Sequence, residues 1–224
     1  MVTAPLMFAG EKMTEDDTMV SAELLARLDA PLVRPLVPIA ARNAVDTLWA
    51  LDTRLAALAY QGREPALRAI RLKWWEQQLT DLMTHDVKPP DPLLAQCKAA
   101  LSGVADGAAL GELAFAWADA DDEAGERGAI LFSLSVLAMG GECASVSIEH
   151  AGRAWAMTDR LLREPSPSDE QWRQAARAFA ATLKGLPRPL AAITALHRTI
   201  ARGGGQRRRL REQAVLLRVG LLGR

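Results

Sequence analysis

The sequence predicts an all-α protein that folds as a single domain. Ala, Leu, Arg and Glu dominate the composition, and all four favour helices. Tyr occurs once and Phe four times, so the residues that favour strands are too sparse for a sheet of any size. Proline and glycine fall between apolar stretches of helical period, which indicates helices joined by short connections.

The first two helices have clear apolar stripes. A helix over about 41–60 is predicted by leucines spaced three or four apart, namely Leu48, Leu51, Leu55 and Leu58. A second helix over about 65–84 carries a stripe made up of Leu72, Trp75, Leu79 and Leu82. Ile70 and Trp74 widen this stripe, so we predict an inner helix with neighbours on two sides. The proline-rich stretch 88–92 must be a connection.

Seven more helices are predicted, over about 91–103, 107–121, 127–138, 143–163, 169–184, 187–202 and 206–222. The stretch RGAILFSLSVLA is apolar enough for a core helix, and Ser168 with Gln171 fits a capping box at the start of another. Residues 18–224 are predicted to form the domain, with 1–17 as a flexible N-terminal segment.

Composition excludes several classes of protein. Lys+Arg and Asp+Glu both number 27, so the basic excess of a nucleic-acid-binding protein is missing. Two cysteines, Cys97 and Cys143, exclude a disulfide scaffold or a cysteine-rich zinc site. No apolar run reaches the length of about 18 residues that spans a membrane, and the N-terminus does not have the pattern of a signal peptide. We therefore expect a cytoplasmic protein.

Two charged clusters are candidate sites. Asp119, Asp122, Glu123 and Glu126 fall on one helix face, where four carboxylates could hold Mg²⁺ or form a solvated helix end. The C-terminal helix is basic through Arg207, Arg208, Arg209 and Arg211, and its apolar residues run Leu210, Ala214, Leu217, Leu221. Such a helix can lie on an anionic bilayer or a partner protein, or pack on the core with a solvated basic edge. His85, His150 and His197 lie far apart, which favours surface or hydrogen-bonded histidines over metal ligands.

Three stretches resemble the squalene/phytoene synthase family. VDTLWALDTRLAALAY followed by EPALRAIRLKWWEQQL is similar to the helix with the first aspartate motif and the helix after it. HAGRAWAMTDRLLRE is similar to the later helix, and GERGAILFSLSVLAMGG sits where the family has a helix ending in small residues. The resemblance covers about residues 20–200. It implies an isoprenoid-synthase-type bundle with a central cavity, in which two carboxylate clusters hold Mg²⁺ and help a prenyl diphosphate to ionise.

The sequence departs from the family at both aspartate motifs. The first falls on residues 56–60, AALAY, with Asp52 about one turn earlier. In the second, the aspartate position falls on Arg163 or Glu164, and Asp159 is the acid inside the helix. Asp52, Asp159 and Glu164 are therefore the candidate catalytic acids. The eroded motifs and the RLKWWEQQL block resemble the branch of the family that assists respiratory complex I assembly.

Other residues of these blocks are candidates for a ligand groove: Arg54, Arg71, Trp74, Trp75 and Arg163. Trp74 and Trp75 are also typical of core packing, since large aromatic residues at helical spacing usually bury against neighbours. Arg71 could meet a phosphate or lipid head group, or pair with Asp52.

Three functions follow from these patterns. The first is a non-catalytic protein that binds a prenyl lipid or a protein partner, with a possible role in assembly and no cofactor. The second is an active head-to-head prenyl transferase that uses Mg²⁺ and displaced carboxylates. The third is a peripheral membrane module that acts through the basic C-terminal helix.

Overall fold

The computed structural model describes residues 33–60, 64–84, 89–118, 125–142, 145–179, 185–206 and 209–222. Within these ranges the chain is helical and contains no strand, so the all-α prediction is confirmed. The predicted flexible segment 1–17 lies outside the described residues.

Nine α-helices follow two short 3₁₀ turns, Arg34–Leu36 and Ile39–Ala41, in the described part of the chain. Their bounds are α1 Arg42–Tyr60, α2 Pro65–Asp81, α3 Pro92–Leu101, α4 Gly107–Ala118, α5 Glu126–Ala138, α6 Val146–Arg163, α7 Asp169–Ala178, α8 Arg188–Arg202 and α9 Arg209–Leu222.

Capping side chains decide where several helices begin. The Asp91 carboxylate accepts a hydrogen bond from the backbone N–H of Leu93, so α3 starts at Pro92. The Ser145 side chain accepts a hydrogen bond from the backbone N–H of Ile148 in the same way. Helix α6 therefore starts at Val146, three residues after the predicted position. The capping box of Ser168 and Gln171 at the start of α7 is confirmed. At the C-terminal ends, α2 and α3 stop two or three residues before the predicted positions, where the chain turns.

The buried apolar side chains form one continuous cluster to which all nine helices contribute. Helix α1 packs against α2, α3, α4 and α5, and α5 packs closely against α6. Helix α6 in turn contacts α7 and α8, and α9 lies on α8. The predicted core helix is confirmed, since Leu131, Phe132 and Leu134 in α5 are almost fully buried. Helices α1 and α5 thus connect the first half of the fold to the second.

Helices α5 and α6 cross at two glycines. A Cβ built on Gly128 would lie 2.0 Å from the carbonyl oxygen of Gly152, and one on Gly152 would lie 2.1 Å from that of Gly128. No side chain fits at either position without moving a backbone. The crossing therefore holds the N-terminal turn of α5 directly against α6.

Helix α2 is not the inner helix that its wide apolar arc predicted. Leu72, Trp75 and Leu79 are buried on one face, but Ile70 is 64% and Trp74 is 40% exposed. Among the described residues, α1 and α4 are the main neighbours of α2, and they leave the second face exposed. The second apolar face is directed towards solvent, and apolarity alone does not show which face of a helix is covered.

Candidate functional site

A buried arginine lies near the start of α5, close to the crossing with α6. The side chain of Arg127 is only 4% exposed. It is the second residue of α5 and directly precedes Gly128, so the helix crossing brings its side chain close to α6. An arginine buried to this extent needs anionic partners, because an unpaired charge in the interior is very unfavourable.

Two carboxylates, one from α1 and one from α6, accept hydrogen bonds from Arg127. The Arg127 guanidinium donates to Asp52 on α1, with Nη1 at 3.3 Å from Oδ2. Its Nη2 donates to Oδ2 of Asp159 on α6 at 2.5 Å. The two acids are 107 positions apart in the sequence, and one guanidinium joins them. Asp52 also accepts a hydrogen bond of 2.8 Å from the indole N–H of Trp117.

Aromatic rings surround the guanidinium. Its central carbon lies 4.2 Å from the ring centroid of Trp117 and 4.8 Å from that of Trp155. These distances are typical of cation–π contacts, which gain strength where water is excluded. Arg127 therefore has both ionic and aromatic partners.

A second arginine closes the cluster on the α6 side. Trp155, Asp159 and Arg163 are spaced by four residues, so they share one face of α6. Arg163 donates to both oxygens of Asp159, at 2.9 and 3.1 Å. Its guanidinium carbon lies 5.6 Å from the ring centroid of Tyr60, the last residue of α1. We call Asp52, Tyr60, Trp117, Arg127, Trp155, Asp159 and Arg163 the arginine cluster.

The environment acts differently on the two acids. Burial raises the pKa of Asp52, and the opposing effects of Arg127 and the Trp117 N–H are smaller. Burial would also raise the pKa of Asp159, but Arg127 and Arg163 together outweigh it and lower that pKa to about 2. Burial acts to lower the pKa of Arg127, yet the two carboxylates raise it overall, so the guanidinium stays charged.

The cluster is electrically balanced when both acids are ionised, because two carboxylates face two guanidinium groups. Both acids already accept hydrogen bonds from positively charged donors. Throughout the described part of the chain, no group of three or more His, Cys, Asp or Glu residues is arranged to hold a metal ion. The contacts therefore do not fit the magnesium site that the resemblance implies, since those carboxylates would have to be released from arginine first.

No protein-family model, curated protein or solved structure matches this chain. None of the described helices is both long enough and apolar enough to cross a bilayer.

Three of the predicted site residues come together in the arginine cluster, namely Asp52, Asp159 and Arg163. Of the two alternatives for Arg71, pairing with Asp52 is wrong, because Arg71 is exposed on α2 and Arg127 pairs with Asp52. Glu164 lies just after α6, where it accepts a hydrogen bond from Gln171 and pairs with Arg160 at 3.5 Å.

The other groove candidates are not gathered around one groove. Arg54 is exposed on α1. Trp75 is buried and only 3% exposed, whereas its neighbour Trp74 is 40% exposed. The two indoles touch edge to face, with centroids 5.7 Å apart. The core-packing interpretation therefore holds for Trp75, and Trp74 lies at the surface against it.

The predicted acidic face is only partly described. Asp119, Asp122 and Glu123 lie outside the described residues. Glu126 is 53% exposed and pairs with Arg153 of α6 at 3.0 Å. Its carboxylate thus belongs to an ion pair across the outer side of the crossing between α5 and α6.

The C-terminal arginines and the histidines are also partly described. Arg207 and Arg208 lie outside the described residues, Arg209 begins α9, and Arg211 is exposed. His85 is likewise outside, and His150 is exposed. His197 is buried on α8, with its ring centroid 6.0 Å from that of Trp155.

The sequence reasoning missed the central residue of the site. Arg127 was included in an apolar core helix, although it is the one charged residue of the stretch RGAILFSLSVLA. A charge at the end of a core segment predicts a buried partner, and this signal could have identified it. Trp117 and Trp155 gave no comparable signal, because tryptophans on apolar faces are ordinary core residues.

Proposed function

We propose that this chain is a diverged, non-catalytic protein of the squalene/phytoene synthase type. In this proposal it is an isoprenoid-synthase-type bundle whose central cavity no longer supports Mg²⁺-dependent diphosphate chemistry. It acts by binding a prenyl lipid or a protein partner, consistent with an assembly role, in the cytoplasm or beside a membrane. The resemblance at residues 45–79 and 150–164 supports the family, and the arginine cluster supports the loss of catalysis.

The observation that carries the proposal is the position of Arg127. Its guanidinium bridges Asp52 and Asp159, which are the two acids that a displaced metal site would need. A protein side chain thus supplies the positive charge between the helices that a bound metal would otherwise supply. This makes the acids part of the packing of the interior.

Electrostatics opposes a dication at the same place. Two unit charges 4 Å apart interact by roughly 4 kcal/mol at an effective dielectric constant of about 20. A dication between these acids would be repelled by Arg127 and also by Arg163, which holds Asp159 from the other side. Arg127 would have to leave its buried position, and Arg163 would have to release Asp159, before Mg²⁺ could be coordinated.

One observation favours a second function, an active head-to-head prenyl transferase. Asp52 and Asp159 do converge from two different helices, α1 and α6, as displaced ligands should. In that case Mg²⁺ and a diphosphate would have to displace Arg127 together, since the diphosphate could accept hydrogen bonds from the freed guanidinium.

Thermal unfolding with farnesyl diphosphate and with farnesol, each with and without Mg²⁺, separates these functions. A ligand at about 100 times its Kd adds roughly 2.7 kcal/mol, which is a shift of several degrees for a chain of this length. For a prenyl-lipid binder we expect stabilisation by both compounds, independent of Mg²⁺, with no release of diphosphate. If neither compound changes the unfolding temperature, the protein does not bind a prenyl lipid, and the proposal then requires a protein partner.

The opposite result would establish the transferase. It would consist of stabilisation that needs both Mg²⁺ and the diphosphate, with release of diphosphate in the same samples. Asp52→Asn and Asp159→Asn should then abolish the release. Glu126→Gln is the matched control, because it removes a carboxylate of α5 that lies outside the cluster.

A further inference from the structure

Helix α9 has two different apolar faces. Leu216 and Val219 are 4% and 6% exposed and belong to the core cluster. Leu210 and Leu217 are 85% and 50% exposed, and Ala214 between them is also exposed. Because 210, 214 and 217 are spaced by four and three residues, they form one outward stripe. The core-packing interpretation of this helix therefore holds for its inner face, and the outer stripe is exposed.

The charges of α9 are segregated in the same way. Its one acid, Glu212, is 5% exposed and lies on the inner side. Arg211 and Arg218 are exposed, and being seven residues apart they lie on the same side of the helix, beside the outward stripe. The sequence adds Arg207 and Arg208 just before the helix. The described outer side of α9 therefore combines projecting leucines with positive charge only.

We propose that the outer face of α9 docks on the surface of an anionic bilayer. Leu210 and Leu217 enter the boundary between head groups and acyl chains, and Arg211 and Arg218 contact lipid phosphates. An interfacial helix needs this combination of an apolar stripe and basic flanks. A second copy of the chain is a poorer partner, because pairing two such faces would bring arginines against arginines.

The exposed apolar face of α2 serves as an internal comparison, because it also carries the exposed Arg71 but its flanking charge is mixed. Leu67 and Ile70 are 48% and 64% exposed, so the apolar area available there is similar. The lysine beside this face, Lys73, is bound at 2.7 Å to Glu76 of the same helix. If apolar exposure alone caused membrane binding, α2 and α9 would contribute equally. The proposal instead predicts that binding depends on α9.

The test is co-sedimentation of the full chain with vesicles of phosphatidylcholine, with and without about 30% phosphatidylserine, in about 0.1 M salt. We expect binding to the anionic vesicles that weakens as salt rises. Arg211→Gln with Arg218→Gln should reduce the partition coefficient about thirtyfold, from the usual contribution of each basic residue near such a surface. Leu210→Ser with Leu217→Ser should reduce it about tenfold or more.

The matched control is Leu67→Ser with Ile70→Ser, which should bind like the unaltered chain. Each variant is first shown to unfold at the temperature of the unaltered chain. The proposal is overturned if anionic vesicles are not bound, if the α2 variant loses as much binding as the leucine variant of α9, or if the leucine variant binds fully. It is also overturned if light scattering shows a dimer that the leucine variant of α9 dissociates.

Discussion

Replacing Arg127 by Met tests the electrostatic account of the interior most directly. The substitution keeps a long apolar side chain beside the two indoles but removes the charge that joins Asp52 to Asp159. Removing one member of a buried ion pair costs about 3–5 kcal/mol. A thioether against an aromatic ring recovers part of the lost cation–π contact, so the total loss of stability on Arg127→Met should stay within this range. For a chain of this length it corresponds to a fall in Tm of about 6–20 °C.

The cost should depend on pH in a defined direction. Burial already raises the pKa of Asp52, and Arg127 opposes that effect, so removing Arg127 raises this pKa further. An acid whose pKa is raised in the folded state destabilises the fold at high pH, and this penalty disappears as pH falls through the raised pKa. We therefore expect Arg127→Met to be more destabilised, relative to the unaltered chain, at pH 8 than at pH 5.

Urea unfolding at the two pH values measures both effects. Arg153→Met is the matched control, because Arg153 also joins two carboxylates across α5 and α6, those of Glu126 and Glu149. Arg153 is 30% exposed, so its loss should cost no more than about 1 kcal/mol. Adding Asp52→Asn to Arg127→Met should recover stability at pH 8. If Arg127→Met costs less than the control, or costs the same at both pH values, the account is refuted.

Three other substitutions have expected effects on stability. Asp159→Asn should lower the free energy of unfolding by about 2 kcal/mol at neutral pH. This difference should vanish as pH falls from about 4 to about 2, because a carboxyl group with a lowered pKa stabilises the fold only above that range. Measuring the free energy of unfolding across acid pH checks this prediction. Gly128→Ala should lower the free energy of unfolding by at least about 1–3 kcal/mol, because the added Cβ would separate α5 from α6. Gly220→Ala is the control, since the nearest atom there is in the Leu36 side chain at 3.4 Å. Urea unfolding should show that this control is neutral or stabilising. Trp75→Ala should cost about 3–5 kcal/mol and Trp74→Ala clearly less, and equal losses in thermal melts would contradict the burial difference.

The positions of the helices could be predicted because their signals are local. Leucine stripes, capping side chains and proline or glycine breaks each act within a few residues, and they located the ends of the nine described helices to within three positions, except that α7 ends at Ala178 and not near 184. The exposure of α2 could not be predicted in this way. Ile70 and Trp74 look like core residues in the sequence, and only the positions of α1 and α4 determine that they remain uncovered.

The arginine cluster shows the same limit at the site. Asp52 and Asp159 were found as the acids of two separate blocks, and the spacing of Trp155, Asp159 and Arg163 on one face of α6 is visible in the sequence. That Arg127 reaches both acids depends on the crossing at Gly128 and Gly152, which is a long-range contact without a local pattern. Charge partners far apart in sequence are therefore the part of this site that the sequence could not show.

The balance of charge inside the arginine cluster bears on where recognition can take place. Two carboxylates and two guanidinium groups bind one another, so this part of the interior has no excess charge for a metal or a diphosphate. Large apolar side chains of the described residues are exposed on the outside, among them Trp74 on α2 and Leu210 and Leu217 on α9. For α9, recognition at the surface should therefore depend on the exposed leucines together with the exposed Arg211 and Arg218. This argument favours a protein or membrane partner over a diphosphate substrate.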